Sequence, residues 1–565
     1  MEDLTIRMDE WFFTQGLIGY KKILENYGEK VRTTYDGIIV ERRHLEKFAD
    51  AFFHYYLTQY SVADREERYW RSLHHKFKNG ESSAKSELNQ SVNKRKKDVE
   101  KYFKDTSDGQ RFIVAAEAYR KEKTYTDALD QYLDEMLEVF HTKAINDKLT
   151  ANFFKARHLS PHYGQVSFLN VSKYALSVEE QKGVFHRDFI VPILEEWALW
   201  SALNANDEDK VFQVLKETPH QSLKSLEKKF RKKSVEEMKD YLYQEINQCS
   251  FTDFPLAFHS FEEGIFSPLA LSLKNINVTW DAKGSYYPLS SLARLIIFCS
   301  QAGATQSQGK SVFIFYGGTF DELYRSNRFY TDMKNPNKTF DELVFSLVRE
   351  QKLKADYLRK HYIIFEYSSN YDAKKTELDY MIMSPSVIRL FSEHGTLFNQ
   401  IHYVNRHNFI RGLLQNYDTK HLIFNVLRDK IKSAYSTLEV IRMTQLRHLN
   451  QRYEKGETGV DANLEKRYVW VLAKSAEEVK RKIGDKKAQG IAYRLLNAVR
   501  SNNKNTFMDT VMRVYISCDA EMPGILLEAL HENHLDFATV GNAWISGLVS
   551  KPNEINEGEK KDDEK

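Results

Sequence analysis

Three runs of basic side chains are the residues of this 565-residue chain best suited to chemistry, because Lys and Arg neutralise phosphate groups. A phosphate backbone is bound where several such cations share one surface. The runs comprise Lys94, Arg95, Lys96 and Lys97; Lys228, Lys229, Arg231, Lys232 and Lys233; and Lys480, Arg481, Lys482, Lys486, Lys487 and Arg494. A single run usually marks a solvated surface, whereas three runs in a chain with 13% aromatic residues also favour nucleic-acid binding.

The segment from Ala304 to Ser311 fits a relaxed phosphate-binding loop, because Gly309 and Lys310 precede a serine. A true P-loop is followed by a helix whose N-terminus holds the phosphates. Here Ser311 continues directly into Val-Phe-Ile-Phe-Tyr, which is typical of a strand, and Ala304 replaces the first glycine. We therefore predict a turn between two strands, and a nucleotide hydrolase that uses Gly309, Lys310 and Ser311 remains the alternative.

Other catalytic motifs are incomplete in this sequence. His186-Arg187-Asp188 resembles the core of a kinase catalytic loop, but Ile193 occupies the position of the required asparagine and no Asp-Phe-Gly follows. The histidine pairs lack the His-Glu-x-x-His spacing of zinc enzymes, and the chain has no Gly-x-Ser-x-Gly sequence. We therefore expect no metal catalysis, and the motifs point to no catalytic residue, no metal and no cofactor.

The composition predicts a folded protein with local rather than uniform charge. Lys and Arg total 82 against 79 Asp and Glu, which excludes a uniformly basic nucleic-acid binder. Between residues 421 and 520, however, 19 basic residues face 11 acidic ones. Three cysteines cannot form a disulfide framework, and no signal peptide or long apolar run is present. We expect a cytoplasmic protein without a membrane partner, and a helical scaffold that binds only proteins is a further alternative.

Hydrophobic periodicity predicts a predominantly α-helical α+β chain. Residues 1–245 are expected to form a mostly helical N-terminal region, and residues 246–390 a mixed α/β middle region. Residues 391–550 show the apolar spacing of a C-terminal helical bundle. The last segment, residues 551–565, has no apolar pattern and is expected to be a disordered tail.

Local patterns predict several individual elements. Leu295–Cys299 and Val312–Tyr316 have the apolar composition of short buried strands, whereas the hydrophilic segment Arg325–Lys338 is predicted to be an exposed loop. Gly16 and Gly19 lie in an aromatic-rich helix candidate. Because glycine has no side chain, we expect another part of the backbone to approach closely at both positions.

Five segments, ordered along the chain, carry a family resemblance. They are Trp11–Tyr20; Phe261–Leu269, followed by Trp280; Pro288–Cys299, followed by Ala302–Thr305; Ala492–Asn497, followed by Phe507–Asp509 and Arg513; and Gly541–Leu548. The ordered set resembles the large subunit of the type I-B CRISPR effector complex, known as Cascade. Each segment is short, but together they span nearly the whole chain.

The chain departs from this family at three of four zinc-ligand positions. Many relatives carry two Cys-x-x-Cys pairs that form a zinc knuckle, and the matching residues here are Cys249, Thr252, Ser290 and Ala293. Three of the four ligands are therefore absent, whereas a closed structural zinc site needs about four. We expect no zinc at these knuckle positions and packing in its place.

The resemblance implies a non-catalytic subunit of an RNA-guided DNA surveillance complex. In such a subunit the N-terminal part anchors the 5′ end of the guide RNA and recognises the protospacer-adjacent motif on duplex DNA, and base pairing supplies the long sequence readout. The subunit also supports R-loop formation and recruitment of a helicase-nuclease. The implied partners are guide CRISPR RNA, target double-stranded DNA, the helicase-nuclease, and the backbone, guide-end and small subunits of the complex.

Two further expectations depend on this resemblance. For recognition of the DNA motif the predicted loop offers Arg325, Asn327 and Arg328, whose side chains could reach base edges. A minor-groove wedge from another N-terminal loop is the equal alternative. The C-terminal part can also be made separately in such systems, as the small subunit. The internal start codons available for this product encode Met443, Met381 and Met383.

Overall fold

The structure, a computed structural model, describes residues 3–164, 166–269, 287–307, 309–332, 362–370, 373, 375–433, 436–456, 459–551 and 554–555. The described residues form two compact units. The first unit comprises those within Met1–Phe313, Gly318–Asn327 and Glu366–Asp379. The second comprises those within Ile314–Gly317, Arg328–Phe365 and Tyr380–Lys565.

The N-terminal half of the chain is almost entirely helical. A two-stranded antiparallel sheet pairs β1 (Leu4–Arg7) with β2 (Gly37–Val40). The helices are α1 (Trp11–Asn26), α2 (Arg42–Gln59), α3 (Val62–Lys78), α4 (Ser82–Phe103), α5 (Ser107–Lys121), α6 (Asp127–Phe140), α7 (Lys143–Phe154), α8 (Val178–Phe185), α9 (Val191–Asn204), α10 (Glu208–Glu217), α11 (Gln221–Phe230) and α12 (Val235–Glu245). Two π-helical turns, Lys155–Leu159 and His186–Ile190, continue α7 and α8 respectively.

Apolar residues at helical spacing build two cores from these helices. Helices α3 to α7 share a core that includes the fully buried Trp70, Phe112 and Phe140. Helices α9 to α12 share a second core that includes Leu199 and Phe230. Side-chain caps define several helix starts, because a hydroxyl or carboxylate accepts a backbone N–H that has no partner in the helix.

Short strands and helices alternate between residues 259 and 383. The elements are β3 (His259–Ser260), β4 (Pro288–Leu289), α13 (Ser291–Phe298), α14 (Ser300–Gly303), β5 (Thr305–Ser307), β6 (Lys310–Phe315), α15 (Phe320–Asp332), β7 (Tyr362–Asn370) and β8 (Lys375–Met383). Strands β3 and β4 form an antiparallel pair, and the other four strands form one sheet in the order β5-β6-β7-β8.

Two predictions for this region are wrong and one is confirmed. Val312–Tyr316 contributes most of β6, as predicted. Leu295–Cys299 lies in α13 and its C-cap rather than in a strand, because α13 is buried on every side and a short apolar run then has no diagnostic period. Arg325–Asp332 is helical within α15, where Phe320 and Leu323 anchor the preceding turns in the core. Residues 333–338 of the predicted loop lie outside the described residues.

The close backbone approach expected at Gly16 and Gly19 is confirmed. Helix α1 packs directly on α13 and α14. A Cβ atom on Gly16 would lie 2.3 Å from the carbonyl oxygen of Ile296. Gly303, on the facing helix, is restricted in the same way by the carbonyl oxygen of Gln15. The three glycines therefore allow two helical backbones to touch.

The C-terminal part of the chain is helical again. It contains α16 (Pro385–Phe398), α17 (Tyr403–Leu414), α18 (Lys420–Ser433), α19 (Leu438–Glu454), α20 (Ala462–Ile483), α21 (Asp485–Arg500), α22 (Lys504–Ser517), α23 (Glu528–His531) and α24 (Phe537–Val549). Helix α24 is buried along most of its length and packs against α19, α20 and α21. Trp470 and Trp544 are the largest apolar side chains in this core.

Part of the predicted tail is folded. Glu554 and Ile555 are buried, and the Glu554 carboxylate accepts hydrogen bonds from the backbone N–H and the hydroxyl of Thr437. The prediction of a solvated tail is therefore wrong for these two residues, because Glu554 caps the start of α19. The predominantly α-helical α+β class is confirmed. Among the described helices, none combines the length and apolar composition of a membrane span.

Candidate nucleic-acid interface

Four exposed lysines follow one another along α4 and its C-cap. Lys94, Lys97, Lys101 and Lys104 recur three or four residues apart, so they lie on one face of the helix. All four are exposed, and none has an ion-pair partner among the described residues. We refer to them as the α4 lysine stripe. Evenly spaced ammonium groups of this kind are suited to successive phosphates of a nucleic-acid backbone.

A cleft beside the stripe combines cations with aromatic rings. It has a volume of about 710 Å³ and lies between α3, α4, α7 and the π-helical turn that follows α7. Its basic residues are Arg65, Lys94, Arg95 and Arg157, and its aromatic residues are Tyr69, Tyr102, Phe153 and Tyr174. We refer to it as the arginine cleft. Proteins bind unpaired nucleotides with cations, which contact the phosphates, and with aromatic rings, which stack on the bases.

Ion pairs order one wall of the arginine cleft. Arg95 lies 2.8 Å from Glu66 and 2.9 Å from Asp98, and Arg65 lies 2.8 Å from Glu66. Burial acts to raise the pKa of Glu66, but the two guanidinium groups outweigh it and lower this pKa below its ordinary value. The Arg65 guanidinium also stacks over Phe153, at 4.1 Å from the ring centre. Arg95 is therefore a positioning residue.

A second and larger cleft adjoins the first. It has a volume of about 900 Å³, and Tyr102 lines both clefts. Its basic residues are Lys143, Lys148 and Lys182, and its acidic residues are Asp50, Asp64, Asp147 and Glu179; burial raises the pKa of Asp147. The Lys182 amine lies 2.9 Å from both Asp50 and Glu179. We refer to this second cleft as the lysine cleft. The α4 lysine stripe and the lysine cleft meet at Tyr102, because the amines of Lys101 and Lys148 lie 5.0 and 5.1 Å from its ring centre.

The first basic run predicted from the sequence is divided by the structure. Lys94 and Lys97 belong to the stripe. Arg95 and Lys96 are engaged in ion pairs, and the Lys96 amine lies 2.5 Å from Glu117 and 3.3 Å from Glu100. Sequence reasoning missed Arg65, Arg157 and Lys148, because these cations are isolated in sequence and only the packing of α3, α4 and α7 brings them together.

The second basic run surrounds the C-terminal end of α11. Lys228, Lys229, Arg231 and Lys232 are exposed, and Arg231 lies 3.9 Å from Glu227. Lys233 is half-buried and its amine lies over the Tyr241 ring, at 5.7 Å from the ring centre. Cations at a helix C-terminus also offset the helix dipole. This run is therefore accessible to phosphate. Its position at the end of α11 also has a local explanation, because the cations offset the helix dipole.

In the third basic run some cations have hydrogen-bond or ion-pair partners and others are accessible to a ligand. Lys480 donates to the carbonyl oxygen of Ser550, Lys482 donates to the carbonyl oxygen of Cys518 at 3.2 Å, and Arg481 pairs with Glu477 at 3.3 Å. On α21, by contrast, Lys486, Lys487 and Arg494 are exposed and have no ion-pair partner among the described residues. These three form the available part of the run.

The candidate base-reading residues occupy a helix rather than a loop. Arg325 and Arg328 lie three residues apart on α15, and both are exposed. The Asn327 side chain is only 3% exposed and donates to the carbonyl oxygen of Leu323 at 3.0 Å. Asn327 is therefore a buried structural residue, and its amide does not face a DNA base in this conformation.

The phosphate-loop motif occupies a β-hairpin, so the predicted turn between two strands is confirmed. Strands β5 and β6 pair antiparallel, with Ser307 opposite Lys310, and Gly309 adopts φ +83° in the turn. The Lys310 amine lies 3.6 Å from Glu366 and 3.9 Å from Asp379. Ser311 donates to the buried amide oxygen of Gln301. The motif residues thus form the hairpin turn of the sheet and make ion pairs and hydrogen bonds with neighbouring residues.

One residue from each pair of knuckle positions meets in space. The hydroxyl groups of Thr252 and Ser290 lie 3.3 Å apart although 38 residues separate them in sequence. The Ser290 hydroxyl also accepts the backbone N–H of Ala293 and so caps α13. Cys249 is buried, and its backbone N–H donates to Phe254 at 3.2 Å. Hydrogen bonds and a helix cap thus hold these positions together.

Comparison with known proteins adds no relative to these observations, since no family model, curated protein or solved structure matches the chain.

Proposed function

We propose that this protein is the non-catalytic large subunit of a type I-B CRISPR RNA-guided DNA surveillance complex. In this role it recognises the protospacer-adjacent motif on duplex DNA and anchors the 5′ end of the guide RNA. It also supports R-loop formation and recruitment of a helicase-nuclease. The structural observation that carries nucleic-acid binding is the α4 lysine stripe with the two clefts beside it, and the five sequence segments supply the particular complex.

The packing of the N-terminal segments supports the resemblance. Phe12 in the first segment stacks on Phe261 and Phe266 of the second, at ring-centre distances of 5.2 and 5.8 Å. The first segment also meets the third through Gly16 and Gly19. These three segments therefore build one core of the first unit, which is expected when a resemblance reflects a common fold rather than chance.

The knuckle positions give separate support. The resemblance groups Cys249 and Thr252 with Ser290 and Ala293 because four zinc ligands must share one ion. The Thr252 and Ser290 hydroxyl groups lie 3.3 Å apart, so these two sequence-distant pairs are neighbours. A hydrogen bond between these two pairs is consistent with the proposed family.

The charge distribution fits a nucleic-acid path more than an active site. Exposed cations without an ion-pair partner among the described residues include Lys94 and Lys97 on α4, Lys228 and Lys229 at the end of α11, and Lys486 and Lys487 on α21. Phosphate contacts of this kind position a nucleic acid without reading its sequence. The sequence readout is then left to base pairing with the guide.

The test is purification of the tagged protein from its native cells, followed by RNA sequencing and mass spectrometry of all retained components. We expect short repeat-derived RNAs together with a backbone protein in several copies. A triple variant that replaces Lys94, Lys97 and Lys101 with Gln should retain less RNA, and Lys96→Gln should behave like the wild type. A preparation without RNA and without partner subunits, from cells that express both, would overturn the proposal.

A further inference from the structure

Three metal-ligating side chains converge in the first unit at a place that the proposed function does not use. Glu196 lies on α9, His220 is the N-cap residue of α11, and His259 lies in β3. One ligand atom from each residue lies within 4.8 Å of the corresponding atoms of the other two. Three separate elements thus bring a carboxylate and two imidazoles to one point.

The immediate geometry shows how the cluster is held. The Glu196 carboxylate is 1% exposed and accepts hydrogen bonds from the hydroxyl and backbone N–H of Ser291, at 2.6 and 3.2 Å. The Nε2 atom of His259 lies 3.2 Å from the same hydroxyl oxygen. The Nε2 atom of His220 lies 3.8 Å from Glu196 Oε1, which is too long for a hydrogen bond.

We propose that Glu196, His220 and His259 form a structural zinc site, with the Ser291 hydroxyl or a water molecule as the fourth ligand. Two imidazole nitrogens and one carboxylate are a ligand set that Zn²⁺ takes in proteins. Tetrahedral coordination places ligand atoms roughly 3.3 Å apart, so small side-chain rotations complete the site from the described separations. The ion would tie α9, α11 and β3 together. This inference does not depend on the proposed function.

The environment both favours and opposes the ion. The Ser291 hydroxyl oxygen lies 2.6 Å from Glu196 Oε1 and 3.2 Å from His259 Nε2, so two of the ligand atoms are already held close together. The buried guanidinium of Arg294 opposes a second cation, but it also faces Asp188 and stacks on the Phe189 ring at 5.0 Å. His220 Nδ1 accepts the Leu223 N–H at 3.5 Å, so binding through Nε2 weakens this cap.

The test uses the untagged full-length protein, dialysed against a chelator and then titrated with Zn²⁺ in competition with a chromophoric indicator. We expect one tightly bound zinc per chain and a higher melting temperature in its presence. Glu196→Gln keeps one acceptor oxygen for Ser291 but can no longer supply a carboxylate ligand, and His259→Ala removes a ligand. Each should weaken zinc binding at least tenfold.

Two control variants locate the ion. His531 is exposed on α23, so His531→Ala should leave the tight site unchanged. Cys249→Ser should also bind zinc normally, because Cys249 belongs to the knuckle positions and not to the proposed site. The proposal is overturned if the wild type binds no stoichiometric zinc, or if Cys249→Ser loses it while Glu196→Gln keeps it. Circular dichroism of each variant shows whether weaker zinc binding results from a missing ligand or from unfolding. If His259→Ala does not fold, the zinc affinity of Glu196→Gln tests the proposal.

Discussion

Gly19 and Cys299 lie so close together that a Cβ atom on Gly19 would be 2.0 Å from the Cys299 carbonyl oxygen. The contact joins α1 to the end of α13, and the neighbouring pair Gly16 and Ile296 repeats it one turn earlier. Because the obstructing atoms belong to the backbone, they cannot move aside as a flexible side chain would. Because these glycines carry no side-chain atoms, the first and third segments of the family resemblance can lie in direct backbone contact.

Gly19→Ala is expected to destabilise the first unit by about 3 kcal/mol, at the upper end of the usual cost of overpacking, since a helix must shift. Urea unfolding followed by circular dichroism measures the change. The matched control is Gly183→Ala in α8, where an added Cβ meets nothing within 4 Å. This control should be neutral or stabilising by up to about 1 kcal/mol, because alanine favours helix more than glycine. Equal stability of the two variants would contradict the argument.

Arg447 should be required for the stability of the second unit. Its guanidinium is 4% exposed and lies 2.7 Å from both Asp418 and Asp536. Arg447→Ala leaves two carboxylates without their partner and should lower the free energy of unfolding by about 3 kcal/mol. This value is at the lower end for buried ion pairs, because both carboxylates are partly exposed. Arg513→Ala is the control, because the Arg513–Asp509 pair is exposed and contributes little. Thermal unfolding of both variants measures the difference, and equal losses would contradict the prediction.

The same group of residues predicts a pH dependence. Burial acts to raise the pKa of Asp418, but Arg447 outweighs it and lowers this pKa to about 2; the pKa of Asp536 is lowered further by the same guanidinium. Both values lie below that of an unfolded aspartate, so the pair stabilises the fold fully above about pH 4. This stabilisation is lost as the pH falls from about 4 towards 2. The stability difference between wild type and Arg447→Ala should therefore shrink over that range in acid unfolding curves.

Lys155 should give the opposite pH behaviour. Its amine is fully buried, has no hydrogen-bond partner and lies 4.4 Å from the centre of the Tyr174 ring. Burial lowers its pKa to about 7, assisted by the charge of Lys148. Between pH 7 and about 10 the unfolded chain binds a proton that the folded chain does not, so wild-type stability rises with pH over this interval.

Lys155→Met should therefore be more stable than the wild type at pH 7, and this advantage should diminish as the pH approaches about 10. The exposed Lys216 offers the control, because Lys216→Met removes a lysine without removing a buried charge. Denaturant unfolding at pH 7 and at higher pH measures both variants. A constant difference between Lys155→Met and the wild type across this range would refute the interpretation.

Sequence patterns predicted the elements that have a clear hydrophobic period. They failed where burial on every side, or packing between distant segments, determines the structure. The long helices, strand β6 and the close approach at Gly16 follow from local spacing. Leu295–Cys299 was assigned to a strand because α13 is apolar on every face. The site was harder, since Arg65 and Arg157 are isolated cations that only tertiary packing places beside Lys94. The local sequence gives part of the difference between Lys96 and Lys97, because Glu100 lies four residues after Lys96, whereas Glu117 comes from another helix and could not be predicted.

Lys310 separates the proposed function from nucleotide hydrolysis. Its amine faces Glu366, Glu377 and Asp379 within 3.9 Å, so carboxylates already surround the charge that a P-loop offers to phosphate. We expect the purified protein to release no phosphate from ATP or GTP above background, and Lys310→Ala to bind RNA like the wild type. Hydrolysis by the wild type that Lys310→Ala abolishes, with Glu377→Ala still active as the control, would establish the hydrolase alternative.

The α4 lysine stripe makes a quantitative prediction about nucleic-acid binding. Each phosphate contact adds about 0.7 to the salt dependence of binding a single strand, expressed as the slope of log K against log salt concentration. Replacing Lys94, Lys97 and Lys101 with Gln should therefore weaken binding and flatten this slope by roughly 2. Lys96→Gln, on the same helix but paired with Glu117, should leave both quantities unchanged. Fluorescence anisotropy with a labelled RNA at several salt concentrations measures them.

A second triple variant shows whether the stripe is the principal contact. Lys486, Lys487 and Arg494 on α21 are equally exposed, so their replacement with Gln removes the same formal charge from a different surface. Since the clefts with aromatic rings lie beside α4, the α4 variant should lose more affinity for RNA than the α21 variant. Equal losses would indicate that net charge alone governs binding, and an unchanged slope in the α4 variant would remove the stripe from the interface.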